Sequence, residues 1–359
     1  MIILSHTNLS GINLGGINLS EIKLGMPSGK GSGGEETFDP ASFDQAWSVT
    51  GKTNDDEDRA TVKNLTGNGN DLVLSNFAFA GDSGYGLYNQ NFKIYGFGNL
   101  HSTTYVRTSS KIELNIPGNI SENIYSNVTS VGYVYDFNIK VSGLKNGNSL
   151  VVTKATKQDD VIKSITKDGV YTIKATVEES WSQFRIYFWI ENKNDSQASI
   201  TIEQISDYEG YLVTDGVDDY IQSRSFKFGK NWTIVGDFIF LDIPVGTNSG
   251  ISKPQSFYLY NIANGVAITI NSGGKSTIIA SKYIKAVSSN GRIYYDDWKE
   301  AINEEPQTVT SSSGSLFLGG TGIKFTKMAF KNLAVYDGKV LTKDQCINAY
   351  NYLQTLKEK

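Results

Sequence analysis

The sequence predicts a mostly β protein, built from antiparallel strands packed as a sandwich. Glycine accounts for 36 of the 359 residues, aromatic residues for 12% and charged residues for 19%. This composition is typical of short strands joined by turns. Apolar runs with period-2 alternation recur between Asn, Gly and Asp clusters, whereas helical spacing occurs in only two stretches. Strands that follow one another without helices between them favour an antiparallel sandwich over an α/β enzyme.

The clearest strand signals are short runs rich in β-branched and aromatic residues, namely 72–74, 112–114, 133–141 and 257–260. Helices are predicted only for Asp296–Glu304 and Thr342–Lys357, where Thr342 has the properties of an N-cap. At this length the chain is expected to hold more than one domain, since single cores stop growing beyond about 250–300 residues.

Charge and composition exclude several functional classes. A net charge of −4 provides no basic stripe for nucleic acid. Cys346 is the only cysteine, so no intrachain disulfide forms, and His6 and His101 lie too far apart in sequence to suggest a zinc pair or a His-centred triad. The N-terminus lacks the features of a signal peptide, and no run of about 18 apolar residues predicts membrane insertion. We therefore expect synthesis in a cytoplasm without classical export.

Residues 7–25 form an internal repeat of four units of about five residues, in which apolar positions alternate in steps of three and two. These positions are Leu9, Ile12, Leu14, Ile17, Leu19, Ile22 and Leu24. So few units do not bury a core alone. Residues 1–26 are therefore interpreted as a β anchor that orders on copies of itself, as a homo-oligomeric trimer or dimer, or on another protein surface. The alternative is a disordered tail, which regular Ile/Leu spacing disfavours. The Gly- and Ser-rich composition of residues 27–36 predicts a flexible linker.

Three blocks resemble laminin-G-like, concanavalin-type domains: 63–74 resembles the opening signature, 212–221 with 232–236 the next strands, and 330–345 the last strand, turn and short helix. The resemblance implies a concanavalin-like antiparallel β-sandwich, a jelly roll. In the usual pattern the first two blocks are close together, but residues 75–211 intervene here. We therefore expect a discontinuous main sandwich, 37–92 plus 209–359, and a second, inserted sandwich, 93–208. The latter resembles small modules of carbohydrate-binding and adhesive proteins.

The whole arrangement, including Gly51–Ala60, is similar to virion proteins of phages of gut Bacteroidales. That resemblance implies a non-enzymatic head or tail fibre or decoration protein. Such a protein resides in the virion, attaches through its N-terminus to capsid or tail proteins, and presents its sandwiches to a surface or a host glycan. Two alternatives are a carbohydrate-binding adhesin of a bacterial cell surface, which normally carries a signal sequence, and a concanavalin-fold glycan hydrolase.

Hydrolysis of glycans on such folds requires two carboxylates a few ångströms apart, often supplied by alternate residues of one strand. The sequence has no such pattern. Glu35–Glu36 lies in the linker, Glu178 and Glu179 would face opposite sides of a strand, and Glu304–Glu305 lies at the end of a predicted helix. The expectation is therefore that the protein is not an enzyme and has no catalytic residue.

Loop aspartates are the candidate metal ligands, because calcium prefers hard oxygen donors from loops. The candidates are Asp55, Asp56, Asp58, Asp71, Asp215 and Asp218. The competing interpretation is that they cap turns, and it is favoured because no single loop has the ligand spacing of a known calcium motif. No cofactor is expected to be essential for folding, and calcium is the one candidate.

The segment Phe184–Ile190 alternates strictly, which places Arg185, Tyr187 and Trp189 on one face of a strand. This face is a candidate ligand-binding platform, with rings for sugar stacking and an Arg donor. Alternatively, it packs against the main sandwich or a neighbouring subunit. The packing interpretation is favoured, and the binding platform is the alternative.

Overall fold

The computed structural model separates into two compact units, Met1–Asp39 and Pro40–Lys359. It describes residues 13–14, 17–18, 38–98, 103–127, 130–145, 147–154, 160–181, 183–241, 248–253, 256–262, 265–270, 275–304, 312–320 and 325–357.

In the first unit, β1 (Asn13–Leu14) pairs antiparallel with β2 (Ile17–Asn18), and Leu14 lies opposite Ile17. The strands belong to consecutive five-residue repeats, 12–16 and 17–21. Leu9, Ile12, Leu19, Ile22, Leu24 and the linker 27–36 lie outside the described residues. The anchor stays a prediction.

The main sandwich begins with four short strands, β3 (Gln45–Ser48), β4 (Thr61–Val62), β5 (Leu72–Ser75) and β6 (Gly84–Tyr85). The chain then forms a single turn of 3₁₀ helix, Phe92–Ile94, with Asn91 as its cap.

Ten strands follow and make up the inserted sandwich: β7 (Gly96–Phe97), β8 (Thr104–Arg107), β9 (Lys111–Ile116), β10 (Ile120–Tyr125), β11 (Val134–Ser142), β12 (Asn148–Thr153), β13 (Val161–Ile165), β14 (Gly169–Thr176), β15 (Tyr187–Asn192) and β16 (Ala198–Ile205). They form two five-stranded antiparallel sheets, in the orders β13-β12-β15-β10-β7 and β14-β11-β16-β9-β8. Apolar side chains of both sheets, such as Phe188 and Phe137, are buried in one core between them.

The remaining strands complete the main sandwich: β17 (Leu212–Val213), β18 (Tyr220–Ser223), β19 (Phe226–Phe228), β20 (Trp232–Phe240), β21 (Asn248–Lys253), β22 (Phe257–Ile262), β23 (Gly265–Ile270), β24 (Ser276–Ile279), β25 (Tyr283–Ser288), β26 (Arg292–Tyr295), β27 (Lys299–Ile302), β28 (Ser312–Gly314), β29 (Phe317–Leu318) and β30 (Met328–Asp337). A helix, α1 (Lys343–Leu353), follows.

Two eight-stranded sheets face each other in the main sandwich. One runs β27-β26-β25-β20-β30-β17-β6, with β3 also paired to β30, and the other runs β24-β23-β22-β21-β29-β18-β5-β4. Strands β19 and β28 pair separately. Trp232 and Phe238 of the first sheet pack with Ile221 and Phe257 of the second in a common core. This arrangement confirms the predicted mostly β, concanavalin-like fold class.

The two sandwiches are joined where the chain leaves and re-enters the main sandwich. The Asp207 amide donates to the Leu87 carbonyl at 3.1 Å, and Asn89 Nδ2 donates to Asp207 Oδ2 at 2.9 Å. The Gln90 amide donates to Gln204 Oε1 at 3.1 Å. The entry and exit segments therefore run side by side, as an insertion between adjacent points requires. The boundaries 93 and 208 stay a prediction.

The predicted helix Asp296–Glu304 is wrong. Strand β27 pairs antiparallel with β26 as a hairpin, with Glu300 opposite Tyr294. Arg292 and Glu300 form a cross-strand ion pair at 2.5 Å, and the turn has positive φ at Asp296 and Trp298. Lys299 and Glu300 are exposed on β27, an edge strand whose pairing with β26 determines its conformation.

The C-terminal helix is confirmed, although it ends at Leu353 rather than at Lys357. The Thr342 side chain accepts a hydrogen bond from the Gln345 amide, and the Gln345 side chain accepts one from the Thr342 amide, which completes a capping box. Cys346, Ala349 and Leu353 are its buried residues, and the helix packs on β20 and β30. Within the described part of the chain, no helix combines the length and apolar character needed to cross a bilayer.

Removing residues 90–206 and joining Asn89 to Asp207 through two glycines should leave the main sandwich folded. The two ends are already within hydrogen-bond distance, and the two cores share no residue. Phe92 packs in the inserted core, so the cut is placed before it. Circular dichroism and thermal melting check the outcome. A product without a cooperative transition would show that the main sandwich depends on the insert.

Lys253 is a fully buried cation in the main sandwich. Its Nζ lies 4.8 Å from the ring centroid of Phe228 and 5.0 Å from that of Phe226. Burial lowers the pKa of Lys253 from 10.5 to about 8, and the charge of Asp337 opposes this fall. The protonated lysine is therefore less stable in the folded chain than in the unfolded one.

Lys253→Met should raise the free energy of unfolding at pH 7 by up to about 3 kcal/mol. The figure follows from the difference between the ordinary lysine pKa of 10.5 and the pKa of about 8 in the folded chain, at about 1.4 kcal/mol per pKa unit. Between pH 8 and 10.5 the unfolded chain binds a proton that the folded chain has released, so wild-type stability rises with pH in this window. The advantage of the variant should shrink over the same window. Urea unfolding from pH 7 to 9.5 measures the difference, and a constant difference would refute the explanation.

Candidate functional site

The predicted alternation around β15 is present, and it exposes one face of the inserted sandwich. Ile186, Phe188 and Ile190 are buried in its core. Arg185, Tyr187 and Trp189 point away from that core, on the outward side of the sheet β13-β12-β15-β10-β7.

Strand pairing builds a row of rings on this side. Tyr125 of β10 lies opposite Tyr187, with ring centroids 5.4 Å apart, and Tyr187 and Trp189 are 6.3 Å apart with planes inclined by 23°. Trp189 Nε1 donates to Thr153 Oγ1 at 3.1 Å, which fixes the indole. We call Tyr125, Arg185, Tyr187 and Trp189 the aromatic face.

The members of the aromatic face differ in accessibility. Tyr187 is only 4% exposed, its hydroxyl donates to Gln183 Oε1 at 2.6 Å, and burial raises its pKa. Tyr125, Arg185 and Trp189 are half-buried. Tyr187 therefore supports its neighbours, while Tyr125 and Trp189 offer ring surface to a ligand.

Two glycines beside β10 give these side chains their positions. A Cβ atom on Gly96 would lie 2.2 Å from Cε2 of Tyr125, and one on Gly98 would lie 2.4 Å from Oδ1 of Asn123. Only glycine lets the Tyr125 ring and the Asn123 amide lie over this sheet edge. Sequence reasoning missed both side chains, and the Gly-Phe-Gly spacing at 96–98 was the available signal.

Arg185 is the group on this face with unused hydrogen-bonding capacity. Its Cζ lies 4.8 Å from the Tyr125 ring centroid, a cation–π distance. Its Nε is buried and has no hydrogen-bond partner among the described residues. The residue as a whole is only half-buried, and a guanidinium held on a ring in this way can donate to an oxygen of a ligand.

Polar side chains border the rings. Asn123 lies opposite Trp189 in the sheet, and Glu191 lies one alternation further along β15. Glu191 accepts a hydrogen bond from Ser149 at 3.1 Å and forms an ion pair with Lys193 at 3.0 Å. The face thus combines apolar rings with an amide, a carboxylate and a guanidinium.

The ring contacts and hydrogen bonds of Arg185, Tyr187 and Trp189 go to Tyr125, Gln183 and Thr153. All these partners belong to the inserted sandwich. Within the described residues, the aromatic face therefore does not use these contacts to pack against the main sandwich. Packing against a neighbouring subunit stays open.

Four of the six candidate calcium ligands occupy separate local environments. Asp56 accepts hydrogen bonds from the amide and hydroxyl of Thr53, at 2.8 and 2.7 Å. Asp58 pairs with Lys52 at 2.9 Å, and the hydrogen bond from Lys52 lowers its pKa. Asp71 accepts the Asn64 amide at 2.8 Å, and Asp55 borders a cleft between the two sandwiches. Asp56 and Asp71 thus make the contacts of turn residues, whereas Asp58 forms a surface ion pair.

Asp215 and Asp218 lie together, joined by Asp219, which the sequence reasoning did not select. Each of the three offers a carboxylate oxygen within 4.8 Å of the others, and no other group of three potential ligands is found among the described residues. Asp219 is fully buried, and burial raises its pKa to about 6. Whether calcium binds stays a prediction.

Asp237, on the main sandwich, has two tyrosine donors. Its Oδ2 accepts from the hydroxyls of Tyr211 at 2.8 Å and Tyr350 at 3.1 Å. Burial and the neighbouring carboxylate raise the pKa of both tyrosines, which keeps them protonated. The cluster is a set of neutral donors on one anion and not an activated tyrosine nucleophile.

Comparisons with known proteins give no family assignment. No family model and no curated protein matches the sequence. Among solved structures, Trypanosoma rangeli sialidase in complex with sialic acid matches with a TM-score of 0.33 and 10% identity, over 82% of this chain and 68% of that one. The exoplasmic/lumenal domain of VIP36, in its Ca2+/Man3GlcNAc-bound form, matches with a TM-score of 0.21 and 13% identity, over 38% and 84%. Likeness at these scores carries no inference about this chain.

Proposed function

We propose that this chain is a non-enzymatic glycan-binding protein and that the aromatic face is its binding site. The observation that carries the proposal is the half-buried Arg185 guanidinium, which lies on the Tyr125 ring, on the same face of the sheet as the half-buried ring of Trp189.

A pyranose ring fits the chemistry of this face. Its axial C–H groups form an apolar surface that packs on aromatic rings, while its hydroxyls need donors and acceptors at the rim. Trp189 and Tyr125 supply the rings, Arg185 the donor, and Asn123 an amide that both donates and accepts. Because these groups stand on a sheet surface, the site suits a segment of a polysaccharide better than an enclosed monosaccharide.

The same geometry gives no support to hydrolysis. A glycosidase needs two carboxyl groups across the scissile bond. Beside the aromatic face the structure places Glu191, which is already bound by Ser149 and Lys193. The other carboxylate near this row, Glu122, lies opposite Ile190 on the core side of the sheet and is 2% exposed.

Trp189→Ala should lower glycan affinity at least tenfold, because it removes the larger accessible ring of the face. The variant should still fold, since the buried Phe188 and Ile190 beside it are unchanged. The labelled protein is first screened on an array of bacterial and animal glycans. Affinity for the polysaccharide of the strongest signal is then measured by calorimetry for wild type and variant.

The matched control is Tyr283→Ala, which removes a 49% exposed ring from the main sandwich and should leave the affinity unchanged. Gly96→Ala should also weaken binding, since the new methyl group displaces Tyr125. Binding that survives both Trp189→Ala and Gly96→Ala would place the glycan site elsewhere. Release of reducing sugar from the bound polysaccharide would overturn the non-enzymatic assignment.

We further propose that the protein is displayed on a bacteriophage virion as a head or tail fibre or decoration protein. The support is the resemblance of the sequence to such proteins and the order of repeat, linker and sandwich along the chain. The bacterial adhesin remains the alternative, and it shares the glycan-binding site.

Deleting residues 1–26 should leave the sandwiches folded and remove the protein from purified particles, because the repeat is the proposed attachment segment. Mass spectrometry of gradient-purified phage measures copy number, and light scattering after size exclusion measures whether the full chain is a trimer or dimer and the truncated chain a monomer. Normal copy number of the truncated chain would refute the anchor. Recovery of the full chain only in the bacterial envelope fraction would favour the adhesin.

A further inference from the structure

A cleft of about 360 Å³ lies between the two sandwiches, beside the segment through which the chain enters the insertion. The main sandwich lines it with Asp82 and Lys327, and the inserted part lines it with Ile94, Asn127 and Tyr133. Asp82 and Lys327 form an ion pair at 2.9 Å, and no other charged residue of the described chain lines the cleft. We call this space the junction cleft.

The junction cleft begins where the aromatic face ends. Gly96 of β7 lies opposite Tyr125 of β10, and Ser126, the next residue, lines the cleft. The Ser126 amide donates to the Ile186 carbonyl at 3.0 Å, which extends the pairing of the two segments by one residue beyond Tyr125. Strand alternation then places Asn127, an exposed residue of the cleft, on the same side of the sheet as Tyr125. A chain molecule that continues past the Tyr125 ring along β10 therefore reaches the cleft.

A series of hydrogen bonds leads to the cleft and leaves a donor open there. The Tyr95 hydroxyl donates to Gln90 Oε1 at 3.0 Å, and Gln90 Nε2 donates to the Tyr133 oxygen at 3.1 Å. The main chain of Gln90 is also held, because its amide donates to Gln204 Oε1 at 3.1 Å. The Tyr133 oxygen accepts in this series, and no described residue accepts its proton. Since Tyr133 is half-buried and lines the cleft, its hydroxyl can donate to an oxygen of a ligand.

Three asparagines supply further polar groups to the cleft. Asn89 Nδ2 already donates two hydrogen bonds, at 2.9 and 3.1 Å, which leaves its Oδ1 to accept. Asn91 Oδ1 accepts a backbone amide at 3.0 Å, which leaves its Nδ2 to donate. Asn127 is exposed and offers both groups, and Ile94, which is 54% exposed, adds an apolar side chain. Donors, acceptors and apolar surface without net charge match a sugar whose hydroxyls donate and accept and whose C–H groups are apolar.

The charges around the cleft disfavour an acidic sugar. Tyr88 lines the junction cleft and also the cleft that Asp55 borders, which Glu203 and Glu209 line as well. Burial raises the pKa of Tyr88, and the carboxylates of Glu209 and Glu203 raise it further, so their negative field reaches this ring. A carboxylate or sulfate of a ligand on the other side of the ring would be repelled by the same field.

We propose that the junction cleft binds a further sugar unit of the glycan that the aromatic face holds, and that this unit is uncharged. The inference rests on the proposed glycan-binding function and adds to it a second contact region and a ligand class, a neutral polysaccharide. Tyr133 and Asn91 donate to hydroxyls of this unit, Asn89 accepts from one, and Ile94 packs against its C–H groups.

The probes are laminari-, cello- and manno-oligosaccharides of two to six units, with oligogalacturonides of the same lengths as the acidic series. Calorimetry measures their binding to the full chain. Wild type should bind at least one neutral series with an affinity that rises with length, and it should bind the acidic series more weakly. Ile94→Lys and Asn127→Ala should each lower the affinity for the longest member about fivefold and leave that for the shortest bound member unchanged. Trp189→Ala should weaken binding at every length.

The matched controls are Ile278→Lys and Asn231→Ala, at exposed positions of the main sandwich outside the cleft, and they should change nothing. All four substitutions replace exposed side chains, so circular dichroism should show the wild-type fold.

The outcomes separate this inference from the proposed function. If Trp189→Ala weakens binding but Ile94→Lys and Asn127→Ala do not, the glycan ends on the aromatic face and the junction cleft is not part of the site. If the two cleft variants weaken binding and Trp189→Ala does not, the continuous site is refuted together with the role of the aromatic face. Tighter binding of the oligogalacturonides, or no binding of any neutral series, would overturn the ligand class. The array screen with Trp189→Ala would then still test the aromatic face by itself.

Discussion

The pairing of β30 with three strands from distant parts of the sequence holds the main sandwich together. β30 pairs with β20 along nearly its whole length, with β17 at one end and with β3 at the other. Eight of its ten residues are buried, and Val335 faces Gln45, about 290 residues earlier in the sequence. Pairing of β3 with β30 brings together residues that are separated by most of the sequence. Contacts of such high sequence separation form slowly, so we expect the main sandwich to fold slowly. The main sandwich can accommodate the insertion because the inserted residues begin after β6 and end before β17. These two strands pair with each other, so the two ends of the insertion lie close together.

The parts of the fold that could be predicted depend on local periodicity. Arg185, Tyr187 and Trp189 were placed on one face because alternation along a strand is a property of the strand alone. Thr342 was recognised as an N-cap because the capping box lies within four residues. The error at Asp296–Glu304 shows the limit of such reasoning. The helix was predicted from the spacing of residues within the segment, but pairing with β26 and the left-handed conformations at Asp296 and Trp298 produce a hairpin.

The parts of the candidate sites that could not be predicted depend on register between strands and on crossover loops. Tyr125 joins the aromatic face because β10 pairs with β15 in one register, and a shift by one residue would turn it into the core. Asp219 looked like one more aspartate in an acidic turn, and only the packing of β17, β18 and residues 326–328 shows that one of its oxygens is enclosed. Residue type alone did not indicate location either. Four candidate aspartates lie away from Asp215 in the structure, namely Asp55, Asp56, Asp58 and Asp71.

The placement of the aromatic face on paired strands has a consequence for how such a protein binds. Trp189 is fixed by Thr153 and Tyr187 by Gln183, so little side-chain entropy is lost when a sugar docks. The flatness of the face limits the area that the proposed glycan ligand can contact, which favours a modest affinity for each copy of the site. Several linked copies of a weak site can bind a surface tightly when that surface carries repeated glycans. Once one copy has bound, the effective concentration of the other copies at the surface is high. An oligomerising N-terminal repeat and a flexible linker, as the sequence predicts, are the elements that such a binding mode needs. The linker would let each inserted sandwich find its own sugar on an irregular surface.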